Sequence, residues 1–141
     1  MATKILKWLL LVVVAIQFIP YGHDHSNPPV TKEPHWDSPQ TKDLIERACF
    51  DCHSNQTGWR FYSYIAPASG LVARDVEGGR RHLNFSEWDH PQKHAEDVAE
   101  MVRNGAMPLW YYLPLHPSAK LTDAEKSALI EGATKSLGPQ K

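Results

Sequence analysis

The chain has two cysteines, and both fall in one five-residue stretch, Cys49-Phe50-Asp51-Cys52-His53. Residues three apart on a helix share a face, so both sulfurs project together, and the adjacent His53 brings an imidazole to the same side. Three chemistries want such a cluster: a metal clip, a thiol redox pair, or a covalently held porphyrin. A structural zinc site wants four N or S ligands. Only one cysteine pair exists, and the histidine pair nearest to finger spacing, His90 and His94, falls on a helical pattern. A thioredoxin-like dithiol accompanies a βαβ pattern, and no segment here sustains strand alternation. C-x-x-C-H is the sequence form of c-type haem attachment. The expectation is one haem c, bonded through Cys49 and Cys52, with His53 as proximal iron ligand.

A chain of 141 residues suits one domain with a modest core. A formal net charge of −1 lacks the electrostatic footprint of a nucleic-acid binder. The N-terminus departs from the rest: Lys4 and Lys7 precede an apolar run from Trp8 to Ile19, broken only by Gln17. That is the pattern of an export signal, with the lysines left in the cytoplasm. Residues 1–22 are read as a membrane anchor or signal segment. The lack of an A-x-A cleavage site favours an uncleaved anchor, which would put the rest on the periplasmic side of a bacterial inner membrane. Residues 23–38, with several prolines and no apolar period, read as an extended linker. Residues 39–141 are the expected haem-binding domain.

Helical periodicity dominates that domain. Ser38 as cap and Pro39 at the first helical position open a helix ending near Cys52. A second is expected from Pro67 to about Val76, ended by Glu77-Gly78-Gly79. A third runs from about Asp89 and Pro91 to a stop at Gly105. Thr122 with Glu125 three residues on forms a capping box opening the last helix, whose apolar stripe is Leu121, Ala124, Ala128, Leu129, Ala133 and Leu137. The fold class is all-α.

A haem iron needs a second axial ligand or an open site. Met107, in the loop Asn104-Gly-Ala-Met-Pro-Leu-Trp110, can aim a thioether without competing for a helix position. His82 sits in a loop of similar character; His90, His94 and His116 are the other histidine candidates, and Met101 falls at the edge of the third helix's packing stripe. Most of the aromatic residues lie between Phe50 and Tyr112 and suit the walls of a flat ligand. Arg60, with Trp59, is the first choice for pairing haem propionates; Arg74, Arg80 and Arg81 read as solvated helix-end charges.

The haem box together with "NPPV", "YSYIAP", "HLNFSEW" and "MPLWYYLPLHP", in that order from Asn27 to Leu137, resembles the small bacterial haem-binding domain family, membrane-anchored single-haem proteins of the cytochrome c type. The resemblance implies a cytochrome c-like core in which the first and last helices cross beside the haem, near Leu44–Ala48 and Leu129–Ala133. It also implies haem on Cys49 and Cys52, His53 proximal and Met107 distal. The Pro67 carbonyl is expected to accept the hydrogen bond of the proximal imidazole. Filled axial positions favour a one-electron carrier serving redox protein partners. A haem-based sensor with a displaceable ligand is the alternative. A peroxidase-like enzyme comes last, since no paired catalytic residues flank the haem box.

Overall fold

The computed structural model describes residues 1–138; residues 139–141, the end of the expected domain, lie outside the described residues. Five α-helices carry it: α1 (Ala2–Ile16), α2 (Pro39–His53), α3 (Ala68–His82), α4 (Val98–Arg103) and α5 (Asp123–Leu137). Among the described residues there is no β-strand, only an isolated bridge between Lys32 and Glu87. The protein is all-α.

Local signals explain most helix ends. Ser38 accepts from the Thr41 N–H with Pro39 in the first turn, and α5 opens on the Thr122–Glu125 capping box. Gly105, at φ +69°, follows α4 in the left-handed conformation that glycine adopts freely. Two expectations need correction. The second helix does not stop at the paired glycines but runs through them to His82. A glycine costs a helix only about 1 kcal/mol, and Gly79 is needed there: a Cβ would overlap the Cys52 carbonyl. The third helix begins at Val98 rather than near Pro91, because residues 93–97 form turns. Ala95, Val98 and Val102 are buried as its period required.

The core is one cluster in which Leu44, Ile45, Ala48 and Phe50 of α2 meet Leu129, Ala133 and Leu137 of α5, Val98 and Val102 of α4, and Leu83 and Phe85. Each fully buried aliphatic side chain stabilises the fold by roughly 1.5–3 kcal/mol. The α2–α5 approach is tight because Gly132 lies against Thr41, where a Cβ would overlap the threonine hydroxyl. Gly132 and Ser136 are buried in α5, whereas Ala124, placed on the stripe by periodicity, is exposed. The contact face is set by small residues that hydropathy does not mark.

The segment read as a linker is bound to the domain. Asn27 donates to the Thr57 carbonyl at 3.0 Å, the Pro29 carbonyl accepts from Asn55 at 2.9 Å, and the Thr31 N–H reaches the Ser86 carbonyl at 2.9 Å. Arg80 is no free helix-end charge: it donates to the Ser54 carbonyl, Asn27 and Thr57 at 2.9–3.0 Å. Helix α1 buries no residue. Its 15 residues reach ~22 Å at 1.5 Å each, against a hydrocarbon core of ~30 Å. Among the described residues no helix is long and apolar enough to cross a membrane, so the expected anchor has no spanning helix behind it. Gln17, the polar break in the run, pairs with both the N–H and the carbonyl of Ala66 at 3.0 Å.

Glu125 joins two elements. It closes the capping box and takes a 2.6 Å bond from Arg47 of α2. The Thr122 N–H first, then Arg47, hold its carboxyl at about 2. Such a group stabilises fully above its unfolded value of ~4.3 and loses that contribution as pH falls toward the folded value. Glu125→Gln is therefore expected to lower the urea midpoint at neutral pH, with the difference from wild type closing between about pH 4.5 and 2.

Candidate functional site

The last turn of α2 opens onto a cleft of about 590 Å³, a size suited to a cofactor. Cys49, Cys52 and His53 line it from α2. Arg74, Asp75, Gly78, Gly79 and His82 come from α3, and Val98, Met101 and Val102 from α4. Met107, Pro108, Leu109 and Tyr112 close it from the loop that follows. The lining surface is mostly apolar, with carboxylates at Asp51, Asp75 and Asp97 and imidazoles at His53, His82 and His94 set into it beside Arg74.

Both cysteines are unpaired and half-buried. Burial pushes both thiols up to about 12, and the Asp51 and Asp75 carboxylates add to the effect at Cys52. Burial therefore keeps both in the neutral thiol form at physiological pH. The His53 Nδ1–H donates to the Leu83 carbonyl at 3.1 Å. That bond fixes the tautomer and leaves the Nε2 lone pair free. Burial also lowers the His53 pKa, favouring the neutral, ligating form.

This corrects the expectation for Pro67. The His53 imidazole is oriented by Leu83, just past the end of α3, while the Pro67 carbonyl accepts from the Leu71 N–H at 3.3 Å. Pro67 stands at the N-terminus of α3 and the cleft sits at its other end, so extending the helix through the glycines moved the bond. Trp59 and Arg60 are likewise absent from the cleft lining. Trp59 donates to Asn27 at 3.2 Å and packs beside His25, and Arg60 is exposed. The cationic side chain that does line the cleft is Arg74.

Among the axial candidates, the cleft gathers Met101, Met107, His82 and His94. His90 lies outside it, paired with Glu87 at 3.6 Å. His116 is buried in a separate network, bonded to Tyr62 and to the Tyr112 carbonyl. Met101 is exposed rather than packed in the core. Its carbonyl accepts from the Ala106 and Met107 N–H groups at 3.0 and 3.2 Å, folding the two methionines toward one another.

Sequence reasoning missed the buried polar frame behind the site. Asn84 donates to Asn55 at 2.9 Å, and Asn55 to Pro29 and Glu87. The Asn55 N–H reaches Ser86 at 2.9 Å. The recurrence of Asn and Ser directly after His53 and within "HLNFSEW" was the available signal, since such residues persist in a core only when fully hydrogen-bonded. Among the described residues no group of three or more His, Cys, Asp or Glu side chains is placed to hold a metal ion.

An apolar cleft with two facing thiols, one oriented imidazole and methionine sulfur fits a porphyrin iron better than a bare ion, whose sites are polar and closed. The protein class that the helices and the cleft define is an all-α haem binder. The family described as haem-binding domain matches residues 11–135, and the chain belongs to that family. No curated protein matches it. No solved structure does either.

The backbone contact at Gly79 tests how far the cleft depends on α2–α3 spacing. Gly79→Ala, whose methyl would overlap the Cys52 carbonyl, is expected to cut haem loading several-fold. Gly70→Ala, on the same helix but outside the cleft lining, whose methyl would meet only the Tyr21 ring at 3.6 Å, is expected to leave loading unchanged. Haem absorbance per mole of purified protein reads the difference.

Proposed function

We propose that the protein is an exported single-haem c-type cytochrome that carries single electrons. The observation that carries this reading is the convergence of Cys49, Cys52, His53 and Met107 on one apolar cleft. Cys49 and Cys52 would hold the group through thioethers, each S–H adding across one vinyl. His53 would be the proximal ligand, oriented by Leu83, and Met107 the distal one. A haem bound in this way supplies an iron that gains and loses one electron, and His/Met ligation raises its potential relative to two nitrogen ligands.

The chain's own residues set the conditions for that exchange. The apolar lining keeps water away, Leu83 keeps the imidazole in register, and Arg74 offers a cation to the propionates. The crossing of α2 and α5 at Thr41 and Gly132 supports a cytochrome c-like core. Lys4 and Lys7 ahead of the apolar run support export, with residues 1–22 as the signal, and the domain would then work on the periplasmic side of the membrane. Partners would be redox proteins that approach the cleft edge, and the reading is of a carrier rather than an enzyme. Met101, His82 and His94 on the same cleft favour a second reading, a haem sensor whose distal ligand exchanges.

Alkaline pyridine spectra of the exported protein should show covalently attached haem. The oxidised protein should show the near-infrared methionine-to-iron band, and Met107→Ala should abolish it. No band in wild type, with rapid carbon monoxide binding after reduction, would favour the sensor. His53→Ala should yield no stable haem-loaded protein and should lose most of its helix content by circular dichroism.

A further inference from the structure

Tyr111 and Tyr112 are neighbours in sequence, yet their hydroxyls reach different helices. Tyr111 donates to Asp75 of α3 at 2.9 Å, and Tyr112 to Asp51 of α2 at 2.7 Å. Asp51 stands between the two cysteines, and it is itself fixed: its other oxygen accepts from the Gly58 N–H at 2.9 Å. Asp51, Asp75 and Tyr112 all line the cleft. Bonds from a hydroxyl to a carboxylate are roughly twice as strong as neutral ones. Burial first, then the Asp51 carboxylate, raise the Tyr112 pKa, so the phenol stays a donor.

The chain behind Tyr112 is clamped as well. His116 is 4% exposed, and its ring stacks on that of Tyr112 at 3.6 Å and 10°. Its Nδ1–H donates to the Tyr112 carbonyl at 2.9 Å, and its Nε2 accepts from the Tyr62 hydroxyl at 2.8 Å. At the other end the Met107 N–H is held by the Met101 carbonyl at 3.2 Å. The segment from Met107 to Tyr112 is thus fastened at both ends and bridges α2 and α3, two of the three helices that line the cleft.

We infer that Tyr111 and Tyr112 are positioning residues whose two phenol–carboxylate bonds strap the Met107 segment across the cleft and keep its distal side closed to outside ligands. The inference rests on the reading of Met107 as the distal ligand and adds what holds it there. Packing alone would be served as well by phenylalanine; only the hydroxyls reach α2 and α3.

The test is the haem-loaded Tyr111→Phe/Tyr112→Phe variant, which keeps both rings. Covalent haem and helix content should match wild type. Amide exchange across 109–112 should rise by about tenfold or more, and so should the rate of carbon monoxide binding to the reduced protein. Unchanged exchange overturns the strap. So does an unchanged carbon monoxide rate where wild type shows the methionine-to-iron band. Faster exchange in a protein whose wild type lacks that band sinks the Met107 reading and leaves the strap standing. Should the double variant lose haem, Tyr111→Phe alone, with the more exposed hydroxyl, decides by the same exchange measurement.

Discussion

The final turn of α2 carries both thiols and the imidazole, and it is held by neighbours that bind its backbone as well as its side chains. The Leu83 carbonyl takes the His53 Nδ1–H. The His53 carbonyl in turn accepts the Phe85 N–H at 2.8 Å. Arg80 binds the carbonyl of Ser54, the residue that ends the helix. A helix C-terminus leaves its last carbonyls without intrahelical partners, and here two of the groups next to the site are satisfied by the end of α3 and the strip that follows it. The same grip therefore completes the helix and orients the imidazole. Gly79 makes it possible, because α3 comes too close to Cys52 for any side chain.

The legible parts of the fold were those encoded locally. Ser38 and Pro39, the Thr122–Glu125 box and the stop at Gly105 mark termini because the cap chemistry lies within a few residues of the end it serves. The grouping of Cys49, Cys52 and His53 on one cleft was legible for the same reason: the three stand within five adjacent residues. What could not be read was decided between distant segments. The passage of α3 through two glycines depends on Cys52, some 27 positions away in sequence. Once the helix runs on to His82, Leu83 replaces Pro67 beside the imidazole. Trp59 and Arg60 followed the haem box closely in sequence, yet the chain turns away, laying Trp59 against His25 and Asn27 and leaving Arg60 exposed. Arg74 faces the cleft through helical register alone.

Polar burial was the other blind spot. Asn55, Asn84 and Ser86 look like loop composition until their partners are known, and then they form a frame in which each group is answered. Such a frame contributes little net energy per bond, about 0.5–1.5 kcal/mol. It is costly to break in part, since one removed partner leaves a buried group unmet. The frame specifies one arrangement of the strips on either side of α2, which hydrophobic packing alone would leave loose.

Arg80 ties Asn27 to Thr57 and Ser54, so the stretch before α2 behaves as a girdle around the cleft end of α3. Together with the grip of Gln17 on Ala66, it removes the slack that a proline-rich tether would otherwise have. Whatever fixes the amino-terminal end of this chain in space also fixes the compass bearing of the cleft. A visiting protein would meet it at a set angle instead of having to catch a swinging target.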